Sequence, residues 1–269
     1  MGKIEYLICS TFHDPEFKLH DLLESALPKL KELFVKATIC LTPYTPNNVL
    51  NFLKDEGFNA IIEPSDRHID TYRTALRTTL DNIDKPNFQR IFLIDFDRLV
   101  HWIHSYPDEL TNILKKDLDV DLLHIGRTPR AFDTHPTTQK KTKIVVNEFG
   151  SRALGFSDTM DIISVCYVFT KELGETIMNV KNTTSTGFYG SWPIILWSLA
   201  TKKQYIEVEG HEWETPDRFS EEITEMGYKK WLKEFESPQE WLKRVTFLHE
   251  CLLEISMLTK FKISLDKKI

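Results

Sequence analysis

The stretch that decides the fold is Arg90-Ile91-Phe92-Leu93-Ile94-Asp95-Phe96-Asp97, in which four apolar residues lead into two carboxylates separated by one residue. A short apolar run of this kind predicts a buried strand. In an extended strand end, the side chains at positions i and i+2 point the same way, so we expect Asp95 and Asp97 to converge on one cation. Mg²⁺ and Mn²⁺ prefer oxygen ligands and suit such a site. The alternative is a strand followed by an ordinary acidic loop.

Short apolar runs alternate with amphipathic stretches on both sides of this strand. The patterns predict strands at 4–9, 37–41, 58–62, 90–94 and 120–125, and helices at 17–34, 46–56, 66–80 and 108–116. Pro28 is expected to kink or split the first helix. Alternation at this spacing predicts an α/β fold with a mainly parallel, Rossmann-like mixed sheet flanked by helices. In such sheets, ligands bind beyond the carboxyl ends of the strands.

The second half of the chain is less regular. Residues 127–143 are polar and rich in Thr and Pro, which favours a long loop of the kind that often forms an active-site flap. Further strands are predicted at 144–146, 161–169 and 204–208, and further helices at 170–178 and 191–200. Ser237-Pro238-Gln239-Glu240 is a capping box that predicts the start of a C-terminal helix. The chain thus divides into an α/β domain at 1–218 and a helical extension at 219–269.

The composition is that of an ordinary globular protein, with 269 residues, 41% of them hydrophobic, and a net charge of -6. This acidic balance argues against nucleic acid as a partner. The four cysteines show no C-x-x-C spacing, so we expect them to be reduced and structural. No targeting segment or bilayer-length apolar run is visible, which predicts a cytoplasmic protein. The C-terminal apolar stripe is expected to pack on the core, with a homodimer or a peripheral membrane contact as alternatives.

The series of strands and helices that ends in D-x-D resembles the GT-A nucleotide-sugar glycosyltransferases over roughly residues 4–218. The resemblance implies that Asp95 and Asp97 bind a divalent metal, Mg²⁺ or Mn²⁺, together with the donor diphosphate. It also implies that the helix before the D-x-D strand bears an arginine facing the donor. Arg73 and Arg77 occupy that helix one turn apart, and a guanidinium group suits phosphate recognition. The alternative is a solvated helix face.

The same resemblance assigns roles to other polar positions that follow predicted strands. The loop after the first strand would contact the nucleobase, with Thr11 as a hydroxyl and Phe12 as a stacking ring. Asp66, after the third strand, would hold the base or ribose, although it is equally well explained as a helix N-cap. His211, after a late strand, would complete the metal shell, with Asp217 in reserve. The alternative for His211 is an ordinary surface histidine.

Acceptor-side residues are expected in two further segments. Asp158 and Asp161, before a buried strand, would orient a sugar hydroxyl or act as a base, or else serve only a turn. Residues 183–192 carry three aromatic side chains, Phe188, Tyr189 and Trp192. These rings would stack on a sugar face or simply pack.

The predicted reaction moves a sugar from a nucleotide-diphosphate donor to an acceptor hydroxyl. One alternative is a sugar-nucleotide nucleotidyltransferase, although such enzymes usually carry a Gly-rich loop after the first strand and residues 10–15 have none. A second alternative is a protein that binds nucleotide sugar without turnover. P-loop, dinucleotide-binding G-x-G-x-x-G and G-x-S-x-G motifs do not occur, which argues against ATPases, Rossmann dehydrogenases and α/β hydrolases.

Overall fold

The computed structural model describes residues 4–116 and 119–266, with side chains described through residue 258. Within these residues, seven strands form one sheet in the order β3-β2-β1-β4-β6-β5-β7. The strands are β1 (Glu5–Phe12), β2 (Lys36–Leu41), β3 (Asn59–Ile62), β4 (Gln89–Asp95), β5 (Leu122–Arg127), β6 (Cys166–Phe169) and β7 (Lys203–Val208). Only β6 pairs antiparallel, with β4 and with β5. The predicted α/β fold with a mainly parallel mixed sheet is therefore confirmed.

Helices cover both faces of the sheet and form the C-terminal part of the described chain. They are α1 (His20–Leu33), α2 (Asn47–Asp55), α3 (His68–Asp81), α4 (Phe96–Ser105), α5 (Pro107–Lys115), α6 (Pro129–Asp133), α7 (Thr137–Ala153), α8 (Lys171–Met178), α9 (Phe188–Leu199), α10 (Thr215–Arg218), α11 (Ser220–Met226), α12 (Tyr228–Leu232) and α13 (Pro238–Asp266), with a 3₁₀ turn at Lys233–Glu236. Pro28 lies inside α1 without splitting it.

Strand β4 shows how the sequence builds two core layers. Its side chains alternate between the faces of the sheet. Phe92 and Ile94 pack with α1 and α4 on one face, whereas Ile91 and Leu93 pack with α3 and α9 on the other. All four side chains are at most 1% exposed. A continuous apolar run is therefore what a central strand covered on both faces requires.

The chain reverses its direction of travel across the sheet between β1 and β4. From β1 it steps outward through β2 to β3, and α3 then returns it to β4 on the other side of β1. Thr11, near the end of β1, lies opposite Asp95, the last residue of β4. Ligands of doubly wound sheets bind at such a switch point, outside the carboxyl ends of the strands.

Residues 127–143 do not form the predicted long loop, because most of them belong to α6 and α7. The predicted strand at 144–146 lies inside α7. The buried face of α7 is itself largely polar and includes Thr138, Thr142 and Asn147. The periodicity of apolar residues therefore does not reveal this helix. Strand β6 begins at residue 166 rather than 161, and Val165 just before it has a positive φ of 56°, which interrupts extended structure.

The C-terminal helix begins where the capping box predicts. The Ser237 hydroxyl accepts a hydrogen bond from the backbone N–H of Glu240 at 3.2 Å. Helix α13 then packs on α7 and α9 through Cys251 and Ile255, which supports the expected core contact. Outside that contact, Leu242 and Val245 are 70% and 49% exposed. The domain boundary at 218, the homodimer and the membrane contact stay predictions.

All four cysteines are buried and free, as expected. None of the helices in the described part of the chain combines the length and the apolar character needed to cross a bilayer.

Candidate functional site

A cavity of about 310 Å³ opens at the carboxyl edge of β1, β2, β3 and β4. Its walls come from residues 11–13 at the end of β1, 42–44 after β2, residues in 65–72 around the start of α3, and Tyr189 and Glu214 from later segments. Asp95 and Asp97 also line it. The cavity lies at the switch point between β1 and β4, so the topology and the polar residues indicate the same place for a ligand.

The residues predicted from the sequence that meet in this cavity include Thr11, Phe12, Asp66, Asp95, Asp97 and Tyr189. Phe12 is only 2% exposed and packs edge-on against Phe96, with ring centroids 5.4 Å apart. Tyr44, which the sequence reasoning did not select, is 65% exposed in the same wall. A flat stacking partner for a base is therefore better supplied by Tyr44 than by Phe12.

The two carboxylates of D-x-D do not stand on one extended strand end, as the sequence reasoning assumed. The strand ends at Asp95, and α4 begins at the fully buried Phe96. Asp97 therefore lies in the first turn of a helix, where a negative side chain is stabilised by the helix dipole. Phe96 is buried in the core between the two aspartates. Asp95 and Asp97 nevertheless both line the cavity.

Each of these carboxylates already contacts protein groups. Tyr72 donates a hydrogen bond from its hydroxyl to Asp95 Oδ1. Arg218 donates to Asp97 Oδ2 at 2.8 Å. Arg98 contacts Asp95 and Glu214, with Nη1 at 3.7 Å from Asp95 Oδ2 and Nε at 3.5 Å from Glu214 Oε2. The arginines thus fix the carboxylates in place by charge-assisted contacts.

Negative charge is nevertheless crowded at this point. Burial and the neighbouring Glu214 raise the pKa of Asp97 to about 7, although Arg218 opposes the shift. Burial raises the pKa of Glu214 as well, but Arg98 outweighs it, so that the pKa of Glu214 is lowered. Glu214 Oε2 forms no hydrogen bond with the described residues. A cation supplied with the ligand would relieve this repulsion.

The carboxylates in the cavity suit a metal ion only if a bound ligand supplies further oxygen atoms. In the part of the chain that the structure describes, no group of three or more His, Cys, Asp or Glu side chains is arranged to hold an ion. Mg²⁺ is commonly held by one or two carboxylates with substrate phosphates filling other positions. Asp95 and Asp97 fit an ion bound together with a diphosphate, and they do not fit an ion caged by protein alone.

His211 does not share the cavity with the two aspartates. Its ring is fully buried and packs edge-on against Trp102, with centroids 4.6 Å apart. A side-chain carbon at the preceding Gly210 would lie 1.8 Å from the Trp102 ring. The backbone at Gly210 therefore lies directly against the indole of Trp102. Neither ring nitrogen of His211 has a hydrogen-bond partner among the described residues. The expected third ligand is therefore placed away from the other two.

The predicted acceptor-side acids lie in different surroundings. Asp161 is buried and accepts hydrogen bonds from Arg127 Nη2 at 2.7 Å and from Asn147 Nδ2 at 2.9 Å. Burial alone would raise the pKa of Asp161, but Arg127 lowers it strongly, so this carboxylate stays charged and does not act readily as a base. Asp158 is exposed in the turn before it. Neither residue lines the cavity at the switch point.

Arg73 and Arg77 share one face of α3, as predicted, but that face points away from the cavity. Helix α3 turns Ile69, Tyr72 and Leu76 inward. Arg73 instead donates hydrogen bonds to the Val180 carbonyl and, at 3.1 Å, to Asn182 Oδ1. The structure therefore does not bring the two arginines to the carboxylates of Asp95 and Asp97.

Several wall residues escaped the sequence reasoning. Tyr72 was not predicted, because in the sequence only helical spacing distinguishes its position on α3. Glu214, which lines the cavity, and Arg218, which contacts Asp97, lie in the acidic stretch after β7, where His211 was the predicted ligand. Tyr189, by contrast, was named in the sequence as a ring that would stack on a sugar face or simply pack, and it lines the cavity.

No protein-family model matches the chain, and no curated protein matches it in sequence. Solved structures with a similar layout include glucosyl-3-phosphoglycerate synthase from Mycobacterium tuberculosis in complex with UDP, at 12% identity and a TM-score of 0.41. That alignment covers 73% of this chain and 65% of that one, so this chain spans less than two thirds of the synthase. The same enzyme with Mn²⁺, UDP-glucose and phosphoglyceric acid aligns at 11% identity and a TM-score of 0.42. A mycobacterial protein aligns at 11% identity and a TM-score of 0.47, covering 84% of this chain and 76% of that one. Similarity at this level assigns no chemistry to the chain.

Proposed function

We propose that the chain is a glycosyltransferase that moves a sugar from a nucleotide-diphosphate donor to an acceptor hydroxyl with the help of Mg²⁺ or Mn²⁺. The observation that carries the proposal is the convergence of Asp95, Asp97 and Thr11 in one cavity at the switch point of the sheet. A pocket of about 310 Å³ lies within the size range of small-molecule sites. The sequence resemblance to GT-A enzymes supports the same assignment.

The wall residues divide into two functional groups under this proposal. Tyr44 stacks on the base, while Thr11 and Asp66 hydrogen-bond the nucleoside. Asp95 and Asp97 face the diphosphate and would hold the metal, which when bound neutralises the charge of the departing nucleotide. Arg98 orients Asp95, because it contacts Asp95 and Glu214 at the same time, and Arg218 orients Asp97.

A thermal-shift screen of nucleotide sugars, with and without Mn²⁺, tests the proposal. Ligand at one hundred times its Kd adds about 2.7 kcal/mol of stability, which is a rise in Tm of about 5 °C for a chain of this size. We expect one donor to give such a rise only with Mn²⁺ present. Asp97→Asn should abolish it without loss of fold, because this change removes the charge of a partly buried side chain and keeps the side chain's shape.

The matched control is Asp55→Asn, which changes an exposed aspartate of α2 and should leave the shift intact. Turnover is then measured as release of the nucleoside diphosphate from the donor. A shift produced by nucleoside triphosphates and not by nucleotide sugars would favour a nucleotidyltransferase and contradict the proposal.

A further inference from the structure

The cavity at the switch point of the sheet has walls with an excess of negative charge. Among the described residues that line it, four are acidic: Asp66, Asp95, Asp97 and Glu214. None of the described lining residues is a lysine or an arginine. The side chains of Asp95, Asp97 and Glu214 are at most 25% exposed, so water and salt screen their charges only weakly.

Two arginines contact these acids without lining the cavity. Arg98 lies 3.7 Å from Asp95 Oδ2 and 3.5 Å from Glu214 Oε2, and Arg218 donates to Asp97 Oδ2 at 2.8 Å. Both guanidinium groups are thus engaged by carboxylates of the protein and are absent from the described lining residues. Because the lining acids outnumber these two arginines, the wall keeps an excess of negative charge even when Asp97 is protonated.

The two histidines of the wall do not reverse this balance. His13 Nδ1 lies 2.7 Å from the Thr42 hydroxyl, and His68 Nδ1 lies 3.3 Å from the Tyr189 hydroxyl. Desolvation at the cavity lowers the pKa of both imidazole rings below its ordinary value. Both rings are therefore largely uncharged at neutral pH.

A bound donor would leave the excess negative charge in place. A divalent metal at Asp95 and Asp97 offsets the charge of the donor diphosphate. A further anion on the sugar would then meet wall carboxylates and no lysine or arginine among the described lining residues. Sugar hydroxyl groups, by contrast, donate hydrogen bonds to carboxylates and suit such a wall.

We infer that the donor sugar carries no acidic group, and that the cavity selects against donors whose sugar is a uronic acid. The inference rests on the function proposed above, because it concerns the donor of that reaction. The acids that carry it are Asp95, Asp97 and Glu214, since each lines the cavity and is largely shielded from solvent. Like charges placed against each other in a binding site weaken binding.

Matched pairs of donors test this selection on the wild-type chain. UDP-glucose and UDP-glucuronic acid differ only in a hydroxymethyl or carboxylate group on the sugar, and so do GDP-mannose and GDP-mannuronic acid. In titration calorimetry at neutral pH with Mn²⁺, we expect the acidic member of the pair that binds to have an affinity lower by at least about tenfold. Equal or tighter binding of the acidic member would overturn the inference.

A variant tests whether the wall charge causes the selection. Glu214→Gln removes one negative charge at nearly constant size and should reduce the ratio between the two affinities of a pair. Because both donors are measured on the same variant, a general loss of affinity does not alter this ratio. Glu225→Gln, which changes an exposed glutamate of α11, should keep the wild-type ratio. An unchanged ratio in Glu214→Gln, or the same change in both variants, would contradict selection by the wall charge.

These titrations separate the inference from the proposed function. If the neutral and the acidic donor bind with similar affinity, the donor site stands and only the selection by charge is wrong. If UDP, GDP and both neutral donors fail to bind in the presence of Mn²⁺, the donor site itself is wrong, and the inference fails with it.

Discussion

At the scale of single residues, Asp95 and Asp97 on the cavity wall are each held by a neighbour from another segment. Asp95 is held by Tyr72 of α3, and Asp97 by Arg218 of α10. Helix α10 is in turn fixed to α4, because Asp217 contacts His101 Nδ1 at 2.6 Å. The position of Arg218 beside Asp97 therefore depends on a buried histidine that does not line the cavity.

His101 makes this link dependent on pH. Burial lowers the pKa of His101, but the hydrogen bond and charge of Asp217 outweigh burial and raise it above 6.5. A raised pKa means that the folded chain holds the proton more tightly than the unfolded chain, so the stabilisation is full below pH 6.5 and is lost as pH rises through the folded pKa.

We therefore expect His101→Gln to reduce the free energy of unfolding by about 1.5–3 kcal/mol at pH 6. The difference from wild type should shrink as the pH is raised toward 9, as followed by urea unfolding at each pH. His104→Gln, an exposed change on the same helix, should show neither effect. A difference that stays constant or grows with pH would refute the charged pair.

At the scale of secondary-structure elements, α13 anchors the segment that leads to Tyr189. The buried Glu254 carboxylate accepts hydrogen bonds from the backbone N–H groups of Thr183 and Thr184, both at 3.1 Å, and from the Ser191 hydroxyl at 2.9 Å. Glu250 accepts another from the Thr186 N–H at 2.7 Å. Helix α13 thus supplies hydrogen-bond acceptors to residues 183–187, which form neither a helix nor a strand of their own.

Glu254→Ala should leave several buried donors without partners and lower the free energy of unfolding by about 3 kcal/mol or more. Chemical denaturation measures this directly. His249→Ala, an exposed change on the same helix, should stay within about 0.5 kcal/mol of wild type. If both variants unfold alike, the anchoring role of α13 is wrong.

The elements also show where sequence reasoning succeeds. Strand β4 was predictable because a strand covered on both faces must be apolar throughout, and the start of α13 because its capping box is local. Helix α7 was not predictable, since its buried face carries Thr138, Thr142 and Asn147, and the partners of Thr138 and Asn147 come from other segments. The Thr138 hydroxyl, for example, donates to the Phe235 carbonyl at 2.7 Å.

At the scale of the whole molecule, one edge of the sheet collects both sets of functional candidates. Asp95, Asp97 and Thr11 were predictable because each follows or ends a strand, and parallel strands bring their carboxyl ends together. His211 and Asp161 also follow or precede strands, but they lie over the other half of the edge, near β6 and β7. Strand order, which local patterns do not encode, decides which residues meet.

The most direct test of the central claim is diffraction from crystals grown with Mn²⁺ and the nucleoside diphosphate of the donor found in the thermal-shift screen, recorded at a wavelength where manganese scatters anomalously. We predict one strong anomalous peak within coordinating distance of the Asp95 and Asp97 carboxylates, bridged to the diphosphate, with the base beside Tyr44. A peak elsewhere, or a nucleotide bound outside this cavity, would contradict the assignment of the switch-point cavity as the donor site.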